Sequence, residues 1–408
     1  MSERANTALL AAAFCTNAAA IGQVTVIGKI VYDVTNSKLD LGLMGLAQFA
    51  PALVLVLVAG AVADRLDRRR VLAGGALLGM VVTLGLGAYV GTRPTSVVPI
   101  FGLVLVFGVA QAFSAPAVRS LPSDTVSIED LPRATARAAA AGQAGMVAGP
   151  VIGGFLYVAN IRLPFAAFAV LLIIGALSAL AIPTSAQRSI HTAATPDGGG
   201  VHDAMEGLRF VRTQPIIFGA ISLDLFAVLF GGAVALLPAI AKDRLGVGAV
   251  GLGWLQASTG LGAGAMTLVM ATRPLGRHLG RVLLSVVAIF GAFTVALGLT
   301  RNYAVAFIAI FALSAADAIS VFIRATLVPL ATPADKRGRV LAVENVFIGA
   351  SNELGGFESG VTAQLLGTSG SVLLGGVATV AVAGLWWVLF PALREVDTFP
   401  HLPKQSSC

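Results

Sequence analysis

The sequence predicts an all-α membrane protein with twelve transmembrane helices in two pseudo-symmetric six-helix bundles. Composition, the spacing of apolar runs and a weak internal repeat support this prediction. Of the 408 residues, 57% are hydrophobic and 12% are charged, and the mean hydropathy is +0.88. A soluble globular domain carries about 25% charged residues. The chain is therefore expected in a lipid bilayer rather than in water.

A membrane-spanning helix needs about 20 apolar residues. Twelve such runs lie between charged or turn-rich breaks, at roughly 8–32, 41–63, 71–91, 97–118, 138–158, 163–183, 215–240, 247–271, 281–300, 303–327, 340–366 and 370–392. The longest break divides them six and six. We therefore expect an N-terminal bundle at 1–183, a cytoplasmic linker at 184–214 with a short amphipathic helix, a C-terminal bundle at 215–392 and a cytoplasmic tail at 393–408.

The two predicted halves share a repeat at an offset of 206 residues. LGLMGL at 41–46 aligns with VGAVGL at 247–252, and AQAFS at 110–114 aligns with ADAIS at 316–320. Each match falls in the same ordinal span of its half. Duplicated halves of this kind are typical of secondary transporters, whose site lies between the repeats.

The basic residues predict the topology. Of 27 Lys and Arg residues, 20 fall on one side of the predicted membrane and 6 on the other. Cytoplasmic loops carry the excess of Lys and Arg, so both termini are predicted to be cytoplasmic. The net charge of +7 is explained by this bias and does not require a nucleic-acid partner.

Other function classes lack their sequence signals. The two cysteines, Cys15 and Cys408, exclude a disulfide framework and a cysteine-based zinc site, and the four histidines have no metal-ligand spacing. The sequence contains no phosphate-binding loop and no nucleophile motif. We therefore expect no enzyme activity, no metal and no cofactor.

The loop after the second span reads GAVADRLDRRR, at 60–70. It resembles the major facilitator superfamily signature G-x-L-A-D-R-x-G-R-R, with Asp67 in place of the second glycine. The resemblance implies a latch between the halves on the cytoplasmic side. A membrane-topology anchor without a gating role is the alternative. The matching residues of the latch are Gly60, Asp64, Arg65, Arg68 and Arg69, together with Ala63.

The fifth span contains GMVAGPVIGG, at 145–154. It resembles the antiporter motif of exporters in that superfamily, although Ala136 stands where a further upstream glycine is usual. The resemblance implies export, and ordinary packing of small residues is the alternative. The matching residues are Gly145, Gly149, Pro150, Gly153 and Gly154.

Segments 206–238 and 316–360 resemble the drug- and siderophore-exporting branch, which includes enterobactin-exporter-like and macrolide-efflux-like proteins. This resemblance implies a proton-coupled exporter of an amphipathic small molecule, acting by alternating access. The expected partners are the lipid bilayer of a bacterial inner membrane, protons and the substrate, and the expected state is a monomer. An importer or facilitator on the same fold is the alternative.

Ionisable residues inside spans cost several kcal/mol, about 2.5–3.5 even on lenient scales, and so indicate function. Spans 1, 4, 7 and 10 line the cavity in the superfamily, which implies cavity positions for Lys29, Asp224 and Asp317. Lys29 could neutralise a carboxylate, meet an anionic substrate or reach the outer headgroups. Asn17, Gln23, Lys29, Gln111, Ser114 and Ser222 are the substrate-cavity candidates.

The eleventh span carries three glutamates. Glu344 is expected to form a structural ion pair with Arg324. Glu353 and Glu358 are five residues apart and diverge by about 140° around a helix, so at most one faces the cavity. Glu353 lies nearer the middle of the bilayer and is preferred for coupling, although both could serve helix packing alone. Asp224, Glu353, Glu358 and Asp317 are the proton-coupling candidates.

Overall fold

The computed structural model describes residues 3–126, 129–182, 201–273, 275–333 and 335–399. The side chains of 3, 56–65, 123–124 and 201–204 lie outside this description. Within these residues, the regular secondary structure is entirely helical. The longer helices are α1 (Glu3–Thr35), α2 (Lys38–Arg65), α3 (Arg68–Val90), α4 (Val98–Thr125), α5 (Leu131–Ala159), α6 (Leu163–Ala181), α7 (Val201–Thr213), α8 (Pro215–Phe230), α10 (Ala249–Thr272), α11 (Leu279–Leu299), α12 (Tyr303–Ala331) and α13 (Arg337–Leu389).

Short elements complete the path. A 3₁₀ helix at Gly232–Leu236, the three-residue α9 (Leu237–Ala239) and a π-helical turn at Ile240–Arg244 follow α8, and α14 (Pro391–Arg394) follows α13. Proline stands in the first turn of α4, α5, α6 and α8, where its missing N–H costs no hydrogen bond. Polar caps start two other helices, because Asp67 accepts from Arg69 N in α3 and Asn302 accepts from Ala304 N in α12.

Ten helices in the described part of the chain are long and apolar enough to span a membrane. One of the ten is α13, whose 53 residues would extend about 80 Å as a straight helix, against about 30 Å for a hydrocarbon core. Gly367 interrupts α13 with φ 76° and ψ 163°, a backbone region open to glycine. The interruption lies between the predicted spans 340–366 and 370–392. A count of twelve spans in two bundles stays a prediction.

The chain forms two compact units. Unit 1 comprises residues 1–195 and 235–260, and unit 2 comprises residues 196–234 and 261–408. In unit 1, α1 packs against α5 and α6, α3 packs against α4 and α6, and α2 packs against α4. Phe165 and Phe168 are fully buried in its core.

Glycines of α5 allow close helix packing in unit 1. A Cβ on Gly149 would lie 2.1 Å from the carbonyl oxygen of Ala18 in α1, and one on Gly145 would lie 2.4 Å from that of Phe14. A Cβ on Gly154 would lie 2.5 Å from the carbonyl oxygen of Ala249 in α10. The backbones therefore approach more closely than any side chain would permit.

In unit 2, α13 packs against α8 and α11, and α12 packs against α11. The amphipathic helix expected near the end of the linker is α7, which packs against α13. Gly207 of α7 lies against the backbone of Arg339, and the Arg339 guanidinium lies 2.9 Å from the carboxylate of Glu206. The second part of the predicted linker is therefore an ordered component of unit 2.

The segment after α14 caps the start of α11. The backbone N–H of His278 donates to the Asp397 carboxylate at 3.0 Å, and the N–H of Gly280 donates to the carbonyl of Val396 at 2.9 Å. Helix N-termini leave such N–H groups unpaired within the helix. The hydrogen bond from His278 N–H, aided by the nearby His278 and Arg277 side chains, lowers the pKa of Asp397 below its ordinary 3.8.

Substitution of Gly149 tests the contact between α1 and α5. We expect Gly149→Ala to destabilise the folded protein by about 1–3 kcal/mol, because the added methyl group overlaps a backbone oxygen. Gly102→Ala in α4 is the control, since a Cβ there meets no atom within 4 Å. Thermal unfolding of the purified variants in detergent measures the difference. Equal melting temperatures for the two variants would contradict the close contact.

Substitution of Asp397 tests the cap on α11. Because its folded pKa is lowered, Asp397 stabilises the fold at pH values above 3.8, and this contribution is lost as pH falls through the lower folded-state pKa. Hydrogen exchange at residues 278–280, corrected for intrinsic rate, should therefore be slow while Asp397 is ionised and should rise as pH falls below 3.8 and Asp397 takes up a proton. Asp397→Asn should raise that exchange, whereas Glu395→Gln, outside the cap, should leave it unchanged.

Candidate functional site

A buried ion pair joins α8 and α12 in unit 2. The Arg324 Nη2 lies 2.6 Å from Asp224 Oδ1, and the two side chains are only 4% and 7% exposed. Arg324 Nε also donates to Ser320 Oγ, one turn earlier in α12, at 3.3 Å. Charge-assisted contacts of this length are among the strong polar interactions of proteins. The pair therefore fixes α8 against α12 at this depth.

Two more carboxyl groups lie within electrostatic range of this pair. Asp317, at the midpoint of α12, and Glu344, near the start of α13, both interact with the charges of Arg324 and Asp224. Asp317 is half-buried and Glu344 is buried. Asp317, Ser320 and Arg324 follow one face of α12, because they are spaced three and four residues apart. We call Asp224, Asp317, Arg324 and Glu344 the carboxylate cluster.

The cluster corrects one predicted pairing. The sequence suggested Glu344 as the partner of Arg324. In the structure, Arg324 pairs with Asp224. The sequence interpretation relied on depth along neighbouring spans, which does not reveal the face that a helix presents. No basic residue lies within two turns of Asp224 in the sequence. Its partner lies a hundred residues away.

The other two glutamates differ in their surroundings. Both Glu353 and Glu358 are half-buried on the first segment of α13. The Thr362 hydroxyl donates to the backbone carbonyl of Glu358 at 2.9 Å, and the hydroxyls of Thr362 and Ser359 lie close to the Glu358 carboxylate. No ion pair or hydrogen bond reaches the Glu353 carboxylate within the described residues. Glu353 lies about midway between the start of α13 and the break at Gly367.

Three predicted cavity side chains are buried between helices. Gln23 is fully buried and bonds to Thr83 of α3, and Ser114 is 5% exposed and packs where Gly75 of α3 has no side chain. Ser222 bonds to the backbone of α8 and accepts from Trp386 Nε1 at 3.3 Å. These three side chains therefore serve helix packing in this structure rather than an open cavity surface.

The remaining cavity candidates are more accessible. Asn17 and Gln111 are half-buried, and Asn17 donates to the carbonyl of Ala13 at 2.9 Å. Lys29 lies 2.8 Å from Asp33, four residues later in α1. Of the three alternatives for Lys29, the structure supports neutralisation of a carboxylate. The i,i+4 spacing was visible in the sequence and could have identified this partner.

The latch residues are only partly described. Gly60 and the side chains of Asp64 and Arg65 lie in the stretch outside the description, so their predicted role stays a prediction. Arg69 pairs with Asp67 at 2.6 Å and donates to the carbonyl of Ile182. Asp67, which departs from the signature, thus caps α3 and orients Arg69. Arg68 is half-buried beside it.

The predicted motif of α5 is described completely. Pro150 and four glycines line its contacts with α1, α6 and α10 inside unit 1, and a Cβ on Gly253 of α10 would lie 2.5 Å from the carbonyl oxygen of Pro150. No group of three or more potential metal-ligating side chains occurs among the residues that the structure describes.

Breaking the buried pair from one side should destabilise the protein. Arg324→Met leaves the Asp224 carboxylate buried without its cation, and loss of one partner of such a pair typically costs about 3–5 kcal/mol. The double variant Asp224→Asn with Arg324→Met should recover most of the loss. Arg277→Met is the control, because its pair with Asp397 is exposed. Thermal unfolding in detergent measures the loss of stability. An equal loss in Arg324→Met and Arg277→Met would contradict the buried pairing.

Comparison with known proteins identifies the family. The Major Facilitator Superfamily model matches residues 8–300. No curated protein matches the sequence significantly. The fold is similar to that of the nucleoside transporter NupG, at 15% identity and a TM-score of 0.72, with 96% of this chain and 99% of that chain covered.

Two further structures share the fold. A bacterial homolog of the human lysosomal transporter Spinster has 15% identity and a TM-score of 0.67, with 97% of each chain covered. A POT peptide transporter in complex with sulfate has 13% identity and a TM-score of 0.72, with 97% of this chain and 96% of that chain covered. Identities this low report a common fold and leave the substrate open. The chain belongs to the Major Facilitator Superfamily, and it is a multi-pass membrane protein with a transporter fold rather than an enzyme.

Proposed function

We propose that this protein is a secondary active transporter that exports an amphipathic small molecule in exchange for protons, by alternating access. The observation that carries the proposal is the carboxylate cluster, in which Arg324 directly contacts Asp224 and two further carboxyl groups, Asp317 and Glu344, lie within electrostatic range inside membrane-spanning helices. A buried cluster of this kind is a place where proton binding and release change a large electrostatic energy. Membership of the superfamily and the transporter fold support transport as the activity.

The charge balance assigns different roles within the cluster. Asp224 neutralises Arg324 through direct contact, so this pair can stay charged at all stages. Asp317 and Glu344 then add negative charge that no second cation in the cluster offsets. An uncompensated charge inside a membrane protein costs free energy, and binding a proton or a cationic group removes that cost.

Asp317 is the member best placed to exchange the proton. It occupies the midpoint of α12 and retains some exposure, whereas Glu344 is buried nearer a helix end. Alternating access places the coupling site near the middle of the bilayer. Glu353, preferred on sequence grounds, is the second candidate because it also lies mid-helix without a partner among the described residues. Glu358 has the hydroxyls of Thr362 and Ser359 close to its carboxylate and is the weakest candidate.

The direction of transport rests on α5. The stretch at 145–154 resembles the antiporter motif, and its glycines make close backbone contacts with α1 and α10. A contact this tight excludes water and supports a seal against proton leakage. An importer or facilitator on the same fold would retain the carboxylate cluster but would not require that seal.

The proposed setting follows from the same observations. We place the transporter in a bacterial inner membrane with both termini cytoplasmic, and we propose that it acts as a monomer without a cofactor. The similarity to nucleoside and peptide transporters supports transport as the activity. The chain's own residues suggest an amphipathic substrate because polar and charged groups lie among largely apolar helices.

Export is tested first with whole cells. A strain that expresses the protein and an isogenic strain that lacks it are compared across a panel of amphipathic compounds, and their media are compared for secreted metabolites. An exporter lowers the cellular content of its substrate in the expressing strain. Higher accumulation of the responding compound in that strain would favour the importer.

The coupling role of Asp317 is tested with the compound that this screen identifies. In everted vesicles loaded with a pH-sensitive dye, addition of that compound should release protons through the wild-type protein. Asp317→Asn should abolish proton release and reduce uphill transport at least tenfold, while exchange of the compound down its own gradient persists. Asparagine keeps the volume of the aspartate side chain and removes only the group that binds the proton, so proton coupling is lost while the substrate path stays intact.

Two further variants serve as comparisons. Glu358→Gln should keep both proton release and uphill transport, since the neighbouring hydroxyls of Thr362 and Ser359 stabilise its ionised carboxylate. If Glu353→Gln loses coupling and Asp317→Asn retains it, the proton carrier is Glu353 and the assignment to Asp317 is wrong. If Glu353→Gln and Asp317→Asn both retain coupling, neither Glu353 nor Asp317 carries the proton.

A further inference from the structure

A basic surface lies where the C-terminal segment meets the start of α11, inside unit 2. Gly280 lies directly against the backbone of Leu393 and Arg394, so closely that no side chain would fit in its place. The N–H of Gly280 donates to the carbonyl of Val396 at 2.9 Å. The first turn of α11 and the end of α14 are therefore fixed side by side, and Arg281 and Arg394 belong to neighbouring stretches of backbone.

This basic surface borders the apolar outside of two membrane-spanning helices. On α11, Arg281 begins an exposed stripe along one helix face, which continues through Ser285, Ile289 and Ala292. The second segment of α13 exposes a stripe made of Val377, Ala381, Gly384 and Val388. Because both stripes belong to helices long enough to cross a bilayer, the surface that they expose is expected to meet lipid.

Trp387 lies at the edge of the same surface. Its ring is 39% exposed, and the guanidinium carbon of Arg394 lies 5.9 Å from the ring centroid. Val388 and Leu389, which follow it, are 72% and 58% exposed. Tryptophan is enriched where a membrane meets water, because its ring is amphipathic. Arg394 is thus held over an aromatic ring at the level where lipid headgroups begin.

The acids of this surface do not occupy all of its arginines. Arg277 pairs with Asp397 at 3.7 Å. Arg394 lies 3.5 Å from Glu395, whose side chain is 67% exposed, and exposed pairs of this kind contribute little. The Arg281 side chain has no ion pair or hydrogen bond among the residues that the structure describes. The surface therefore offers an unpaired guanidinium and a weakly paired one to an external anion.

We propose that Arg281 and Arg394 form a binding site for the phosphate of an anionic phospholipid, whose acyl chains lie along the exposed stripes of α11 and α13. Guanidinium groups are always charged and match the oxygens of phosphate in bidentate geometry. The predicted topology places both arginines on the cytoplasmic side, where anionic lipids attract basic residues. A free phosphate ion would satisfy the arginines but would gain nothing from the apolar stripes, which favours the lipid.

Quenching of tryptophan emission by brominated lipid measures this binding directly. The protein with Trp254→Phe is reconstituted in phosphatidylcholine vesicles, where Trp387 is the accessible tryptophan because Trp386 is buried. Brominated phosphatidylglycerol or brominated phosphatidylcholine is then included at increasing mole fraction. The anionic lipid should quench at a mole fraction about fivefold or more below that of the zwitterionic lipid, since each arginine near an anionic surface contributes about a factor of five.

Variants locate the preference for the anionic lipid. Arg281→Met and Arg394→Met should each reduce it about fivefold, whereas Arg281→Lys keeps the charge and should retain most of it. Glu395→Gln should increase the preference, because it removes the acid that competes for Arg394. A purely structural role of the arginines would not produce that gain. Arg209→Met is the matched control, since Arg209 is an exposed arginine of α7 on the same predicted side.

Salt and free phosphate test the nature of the ligand. Raising sodium chloride from about 50 mM to about 500 mM should weaken the preference, and about 10 mM inorganic phosphate at constant ionic strength should leave it unchanged. Loss of the preference in phosphate would overturn the assignment to lipid in favour of the free ion. A preference that persists in Arg281→Met and Arg394→Met, or that falls equally in Arg209→Met, would overturn the site. Because quenching requires neither substrate nor proton gradient, these results would leave the export proposal standing.

Discussion

The contact between Arg324 and Asp224 sets the conditions for much of unit 2. Neither group could remain in a bilayer-spanning segment alone, because the desolvation of an isolated charge exceeds what local packing returns. Each therefore requires the other helix to be present at the right depth and rotation. The pair specifies how α8 meets α12, and it leaves Asp317 and Glu344 next to a cation whose charge is already used. With Arg324 neutralised by Asp224, the cluster keeps two further acids without a second base.

Close backbone packing plays the corresponding role in unit 1. Bilayer lipid gives no hydrophobic advantage to helix association, so dispersion contacts and short approaches hold the helices together. The glycines of α5 permit such approaches to α1 and α10, and Gly28 permits one to α9. The described charge pairs of this unit lie near helix ends, in the network around Asp33 and Lys242 and at the Asp67–Arg69 pair.

Local patterns in the sequence predicted the helices well. Apolar runs predicted most of the membrane-spanning helices. The predicted spans 340–366 and 370–392 both lie within the 53-residue α13, where Gly367 separates them. The family was recognisable because its signatures are contiguous. The side-chain partners were much less predictable. Lys29 and Asp33 form an i,i+4 pair that spacing alone reveals, whereas Arg324 and Asp224 meet only because two distant helices pack with particular faces. Burial of Gln23 and Ser114 also depends on helix rotation, which a helix apolar on all sides does not encode.

The surroundings of Trp386 give this protein an optical probe of its own. The chain has only three tryptophans, and this one is buried, with its indole N–H bonded to the carbonyl of Gly219 and its ring stacked on Phe390 at 5.4 Å. It also contacts Ser222, two residues before Asp224 in α8. Indole emission responds to the polarity and charge around the ring. A shift of α8, or a change of charge in the carboxylate cluster, is therefore reported by intrinsic fluorescence, without any label being attached.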